Sequence, residues 1–197
     1  YFLGFSLTQL PLGQALDRFG PRRVLLALLS VAVLACMAFA LARTLAWLWL
    51  ARALIGVGVS ACLMAPLTAY RHRFGDLAQL RANSWMLMTG SLGMLASTLP
   101  VQWLLPMLGW RGLFWWVAGL LLIAMAGIVW LVPRDEVAAP SSRRAAPAIP
   151  GYGAIFRHPY FVRLVPLAFV LYGGLLAVQS LWAGPWLTAV AGRSPGQ

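Results

Sequence analysis

The chain has 197 residues, of which 61% are hydrophobic and only 10% are charged. A soluble domain carries about 25% charged residues, so this composition excludes an ordinary water-soluble protein. The net charge of +11 comes from fifteen arginines against four acidic residues. No basic face accompanies a soluble core, so we also exclude a nucleic-acid-binding domain.

Apolar runs of about twenty residues recur along the chain, and each is long enough to cross a bilayer core of about 30 Å. Backbone groups in lipid must form their hydrogen bonds within their own segment, so we expect every run to be a helix. The predicted fold class is all-α, a polytopic helical membrane protein with about six transmembrane helices. The predicted spans are residues 1–16, 24–42, 45–69, 83–105, 113–132 and 164–187.

Arginine is distributed unequally between the two sets of connections. The connections 17–23, 70–81 and 134–163 hold eleven arginines, whereas the connections and tail on the opposite side hold three. Cytoplasmic loops of membrane proteins collect arginine. We therefore predict that these three segments are cytoplasmic and that the first span runs from outside to inside.

The segment 134–163 differs in composition from the rest of the chain. It combines several prolines with Ser141, Ser142 and the pair Arg143–Arg144. Proline, serine and charge together are typical of a linker. Within it, we predict a short helix at the membrane interface over residues 154–162.

Residues 13–23 have the sequence GQALDRFGPRR and join the first two spans. So dense a charged segment between two spans must be a very short loop at the lipid surface. The helix dipole disfavours a carboxylate at a helix C-terminus, so Asp17 needs a cationic partner or the N-terminus of another helix. The segment is either a functional motif or an ordinary positively charged membrane anchor. The candidate motif residues are Gly13, Asp17, Arg18, Gly20, Arg22 and Arg23.

The pattern G-x-x-x-D-R-x-G-x-R-R resembles the loop between the second and third helices of the major facilitator superfamily (MFS) of secondary transporters. By that resemblance, the loop latches the two halves of the transporter in the outward-facing state. Asp17, Arg18 and Arg22 would then be gating residues.

The same resemblance implies a domain organisation and an MFS-type helical bundle. Residues 1–133 would form most of the N-terminal six-helix half, 134–163 the cytoplasmic central linker, and 164–197 the first helix of the C-terminal half. The chain would cover the second to seventh of twelve helices, with one helix before Tyr1 and five after Gln197.

Arg52 lies seven residues into the third predicted span and is followed by Gly56 and Gly58. A charge at that depth is costly and usually faces a bundle interior or a watery cavity, and glycines let another helix approach closely. The string R-x-x-x-G-x-G resembles a fourth-helix motif of the same superfamily, which implies a part for Arg52 in proton coupling or cavity structure. The alternative is an arginine that snorkels to the outer surface; we favour the cavity.

Polar side chains within the spans are candidates for substrate contact. Tyr172 and Gln179 are seven residues apart and therefore share one helical face. Hydrogen bonding between helices is the alternative role for such side chains. The candidates are Gln9, Gln102, Tyr172 and Gln179.

The resemblance implies transport by alternating access, in which two helical halves rock around a central site. No carboxylate lies well inside a predicted span, which disfavours a cationic drug as the substrate. We therefore expect secondary active transport of a small neutral or anionic metabolite. The alternatives are an MFS-type drug/proton antiporter and a non-transporting membrane receptor on the same fold.

An enzyme would need a cluster of acidic, histidine or serine side chains at one interface. None is visible in the sequence, so we predict no enzymatic activity, no cofactor and no metal site. The expected partners are a small-molecule substrate, protons as a candidate coupling ion, and the lipid bilayer, without nucleic acid. The expected location is a cell membrane, as a multi-pass protein of the bacterial inner membrane.

Overall fold

The computed structural model describes residues 1–133, 156–182, 185–186 and 189–190. In these ranges the side chains of six residues are not described: His72, Leu99, Tyr172, Leu176, Gln179 and Ser180. The chain divides into two compact units, Tyr1–Ala139 and Pro140–Gln197. Every regular element in the described ranges is helical, which confirms the all-α prediction.

The described part of the first unit contains six helices. They are α1 (Phe2–Phe19), α2 (Pro21–Leu41), α3 (Leu45–Val59), α4 (Ala61–Arg73), α5 (Asp76–Ala96) and α6 (Leu99–Leu131). Within the described residues, three helical stretches are long and apolar enough to cross a membrane, namely Pro21–Leu41, Leu45–Arg71 and Pro100–Leu131. The fold is therefore that of a helical membrane protein, and the number of spans stays a prediction.

Local sequence signals explain where the first helices begin and end. Gly20 has φ 83° and ψ 152°, and its N–H donates to the carbonyl of Leu16 at 3.1 Å. This backbone conformation is essentially restricted to glycine. Pro21 then opens α2 at a position where a helix needs no N–H donor. One residue therefore connects α1 to α2.

Helix α2 is the centre of the first unit and packs mainly against α3 and α6. One buried cluster joins α1, α2 and α4 and consists of Leu12, Leu16, Val24, Ala61 and Ala65. A second joins α2 to α6 and consists of Val33, Cys36 and Ala118. Small residues in both clusters let the helix backbones approach closely, as is typical of helix packing in membranes.

The bounds of the fourth predicted span, 83–105, which ends before Pro106, are wrong. Helix α5 ends at Ala96, and α6 begins at Leu99 and continues through Pro106 with a single non-helical residue, Gly109 (φ 65°, ψ 171°). Proline removes one backbone donor, and membrane helices tolerate that loss where neighbouring groups compensate. The positive φ of Gly109 therefore sets the break.

The predicted loop 70–81 is also mostly helical. Helix α4 continues to Arg73 and α5 begins at Asp76, so only Phe74 and Gly75 lie between them. The third predicted span, 45–69, contains both α3 and α4, which meet at Ser60. Ser60 keeps helical backbone angles (φ −59°, ψ −31°), so Leu45–Arg71 is one continuous helical stretch.

The described part of the second unit is helical from Pro159 to Trp182. Helix α7 (Pro159–Ala168) is followed by a π-helical segment (Phe169–Gly173), by α8 (Gly174–Ala177) and by a second π-helical segment (Val178–Trp182). The predicted interfacial helix 154–162 is therefore wrong in its bounds, because Pro159 begins a helix that continues into the sixth predicted span.

Several sequence predictions fall on residues that the structure does not describe. These are the part of the predicted linker over 134–155, including Arg143 and Arg144, and most of the chain beyond Trp182. The division of the chain into a half, a linker and the start of a second half stays a prediction.

Candidate functional site

The six residues of the predicted gating motif lie on both sides of the turn between α1 and α2. Asp17 and Arg18 occupy the last turn of α1 and are exposed, as is Gly13 one turn earlier. The guanidinium of Arg18 lies 5.4 Å from the ring centroid of Phe19. Gly20 forms the turn, so the two helices present their charged ends together. We refer to this end of the first unit as the Gly20 end.

Arg22 contacts a helix that is distant in the sequence. Its Nη2 atom donates a hydrogen bond to the carbonyl oxygen of Val129 at 2.7 Å. Val129 lies in the last turn of α6, where backbone carbonyls have no partner within the helix. A guanidinium satisfies such a carbonyl and also interacts favourably with the negative end of the helix dipole. Arg22, at the start of α2, therefore caps the end of α6.

The opposite end of the same helix pair has a matching contact. Arg111 follows the break at Gly109, and its Nη2 donates to the carbonyl of Ala42, the residue that ends α2, at 3.3 Å. The Arg111 guanidinium lies 4.3 Å from the ring centroid of Trp110. Helices α2 and α6 are thus antiparallel. Arg22 at the start of α2 caps the end of α6, and Arg111, just after the break in α6, caps the end of α2. We call these contacts the reciprocal arginine caps, and this end the Ala42 end.

Arg52 lies on α3, about 10 Å from the helix start by its seven-residue offset, towards the Ala42 end. Its guanidinium carbon is 4.9 Å from the ring centroid of Phe39 on α2 and 5.3 Å from that of Phe114 on α6. The two ring centroids are 4.1 Å apart. Both rings attract the cation through their negative faces, while the Arg52 side chain remains exposed. Three helices therefore hold one charge in place.

The two glycines that follow Arg52 explain how α3 fits between its neighbours. A Cβ atom on Gly56 would overlap the backbone carbonyl of Tyr1, the residue before α1, and would lie tightly against the backbone of Phe5 in α1. A Cβ atom on Gly58 would overlap the backbone of Ala32 in α2. Both glycines are buried. They allow α3 to contact α1 on one side and α2 on the other at backbone distance, and this packing positions Arg52 next to the rings.

The four candidate substrate-contact residues do not form one described cluster. Gln9 on α1 donates from Nε2 to the carbonyl of Ser60 at 3.4 Å, where α3 meets α4. Gln102 is exposed in the first part of α6. The side chains of Tyr172 and Gln179 lie outside the described ones. Gln9 therefore has a hydrogen bond between helices, and a substrate role for all four residues stays a prediction.

Sequence reasoning missed three participants, namely Phe39, Phe114 and Arg111. The partners of these three residues are far away in the sequence, so no local motif identifies them. Their position near the ends of predicted spans was the available sequence signal. In the part of the chain that the structure describes, no three His, Cys, Asp or Glu side chains come together to hold a metal ion.

Comparison with known proteins gives one result that covers almost the whole chain. The family model described as Major Facilitator Superfamily matches residues 1–193. No curated protein and no solved structure matches the chain significantly. The matched range includes both the charged turn at Gly20 and the arginine held by two aromatic rings.

Proposed function

Because the chain belongs to the Major Facilitator Superfamily, whose members are membrane-embedded transporters of small molecules, we propose that it moves a small neutral or anionic metabolite by secondary active transport. Two helical halves rock around a central site and expose it alternately to the two sides of the membrane. The location that we propose is the bacterial inner membrane, with protons as the candidate coupling ion.

Arg52 and its two rings are the observation that supports an anionic substrate most directly. The helices that surround this guanidinium, α2, α3 and α6, contain no aspartate or glutamate. A charge placed within a membrane helix usually serves a substrate or ion pathway. Because the rings of Phe39 and Phe114 hold the cation from the protein side, its exposed N–H groups are available to a carboxylate or phosphate.

The charged turn supports a gating role that is divided among its residues. Arg22 is bonded to the end of α6, so we assign it to the fixed packing of α2 against α6. Asp17 and Arg18 are exposed at the end of α1, which suits contact with the opposite half of a transporter. We propose that they latch the gate. We also propose that the Gly20 end is cytoplasmic, together with 70–81 and 134–163.

A flux measurement on the full-length protein in proteoliposomes tests the proposal. The panel contains monocarboxylates, organic phosphates, neutral sugars and the cationic dye ethidium, each with and without a proton gradient. We expect uptake of one carboxylate or phosphate. The Arg52→Gln variant should lower kcat/KM for it by about tenfold or more, since a hydrogen bond to a charged group contributes about 1.5–3 kcal/mol. The control, Arg43→Gln, removes an exposed charge from the Ala42 end and should transport normally.

The other outcomes contradict the proposal in distinct ways. Extrusion of ethidium with no anion flux would establish the drug/proton antiporter alternative. No flux of any probe by a folded protein would favour the receptor alternative. Equal anion transport by wild type and Arg52→Gln would exclude Arg52 as the substrate's counter-charge.

A further inference from the structure

A cavity of about 400 Å³ lies between α1 and α2, and Arg23 is the residue of the gating motif that lines it. Its α1 wall extends from Thr8 to Phe19, and its α2 wall extends from Arg23 to Leu28. A volume of this size is within the range of small-molecule sites in proteins. We refer to this cavity as the α1–α2 groove.

The groove is apolar along its length and has one charge at its end. The hydroxyl of Thr8 donates to the carbonyl of Gly4 at 2.7 Å, so it is already satisfied within α1. Arg23 is the charged residue of the lining, and its side chain is exposed. Among the residues that the structure describes, Arg23 has neither a hydrogen bond nor an ion pair.

The groove is about as long as one leaflet of a bilayer is thick. Thr8 and Phe19 are eleven residues apart, which corresponds to about 16 Å along a helix. The hydrocarbon core of a bilayer is about 30 Å thick, so this wall covers about one leaflet. Arg23 lies in the first turn of α2, within the segment 17–23 that the sequence predicts at the lipid surface, where the headgroups of that leaflet begin.

We propose that the α1–α2 groove binds one acyl chain of an anionic phospholipid from the leaflet around the Gly20 end, with its phosphate on Arg23. A guanidinium binds phosphate oxygens with two parallel hydrogen bonds, and no acidic residue lines the groove to compete for it. An acyl chain gains no hydrophobic free energy by moving from lipid to a lipid-facing groove. Selectivity therefore arises from the headgroup, and the groove fixes where the lipid lies.

Native mass spectrometry of the delipidated full-length protein tests this proposal by titration with dioleoyl phosphatidylglycerol or dioleoyl phosphatidylcholine. Wild type should bind one phosphatidylglycerol selectively. The Arg23→Gln variant should weaken that binding about fivefold or more, because one basic residue near an anionic membrane contributes about 1 kcal/mol. The control, Arg18→Gln, makes the same charge change at the same end but outside the groove, and should change binding less than twofold.

A second pair of variants tests the groove itself. Ala27 is exposed in the α2 wall, so Ala27→Trp should fill the groove and remove selective binding. Ala38 is exposed eleven residues further along, on nearly the same face of α2 but outside the groove, so Ala38→Trp should bind lipid as wild type does. Thermal unfolding of each variant in detergent shows whether it is folded.

Each remaining result overturns the proposal. Equal binding of the two lipids by wild type, or no effect of Arg23→Gln, would exclude a phosphate site at Arg23. Loss of binding in Arg23→Gln with normal binding in Ala27→Trp would place the lipid on the surface outside the groove. If Ala27→Trp alone unfolded the protein while lipid binding by wild type was unselective, another helix of the protein would be the occupant.

Discussion

Replacing Arg22 with methionine tests the reciprocal arginine caps, because methionine has a similar length and cannot donate to the carbonyl of Val129. The hydrogen bond is 2.7 Å long, within the range of charge-assisted bonds. Bonds of this kind contribute about 1.5–3 kcal/mol, and a cation at a helix end adds about 0.3–1 kcal/mol. Since the contact is exposed, we expect the lower end, a loss of about 1.5–2 kcal/mol in the free energy of unfolding.

The second cap should be weaker. The bond from Arg111 to the Ala42 carbonyl is 3.3 Å long, beyond the optimal range for N–H···O bonds, and we expect Arg111→Met to lower the free energy of unfolding by about 0.5–1 kcal/mol. Twenty residues of α2 separate the two caps, or about 30 Å. At that separation the effects should add in the double variant within about 0.5 kcal/mol.

These differences are measured by reversible unfolding of the purified protein in mixed micelles, through titration with sodium dodecyl sulfate. Tryptophan fluorescence can follow the unfolding, because the chain has ten tryptophans. The control is Arg23→Met, which makes the same change one residue away at an arginine with no partner in the described part of the chain. It should change stability by less than about 0.5 kcal/mol. If Arg22→Met cost no more than Arg23→Met, or Arg111→Met cost more than Arg22→Met, the reasoning would be refuted.

Two further predictions concern glycines. Gly58→Ala should destabilise the protein by about 2 kcal/mol or more, because the added methyl overlaps the Ala32 backbone. The control, Gly90→Ala, lies in open space on α5 and should be neutral or slightly stabilising in the same unfolding titration. Equal effects of the two variants would contradict the close packing of α3 against α2. Gly20→Ala should lower the free energy of unfolding by about 1–3 kcal/mol, because φ at Gly20 is 83°. The control, Gly75→Ala, has φ −71° and open space around it, so it should change the unfolding midpoint little. A wild-type midpoint for Gly20→Ala would exclude the turn conformation.

The sequence was sufficient to predict the fold class, because the need to satisfy backbone hydrogen bonds in lipid leaves few structures available. Long apolar runs must be helical in lipid, and the charged segment between the first two runs predicted the very short connection that the structure places at Gly20. The predicted end of the fourth span, before Pro106, was wrong for a physical reason. Proline removes a backbone donor, and the sequence does not show whether a membrane helix compensates for that loss. The earlier proline, Pro100, lies in the first turn of α6, a position that proline favours, so this signal for a helix start was present.

The candidate site was only partly predictable for a different reason. The depth of Arg52 and the glycines after it marked one side of the arrangement. Its ring partners, Phe39 and Phe114, are on two other helices, and no local pattern connects them. The same holds for the cap between Arg22 and Val129, which are 107 residues apart. Local patterns therefore identified the charges, and only tertiary packing identified what holds them.

That separation along the chain has a consequence for biosynthesis. At about 5–20 residues per second, a ribosome makes Val129 roughly 5 to 20 seconds after Arg22. During that interval α2 can enter the bilayer, but the carbonyl that Arg22 caps has not yet been synthesised. The joining of α2 to α6 is therefore a late event in the assembly of this unit.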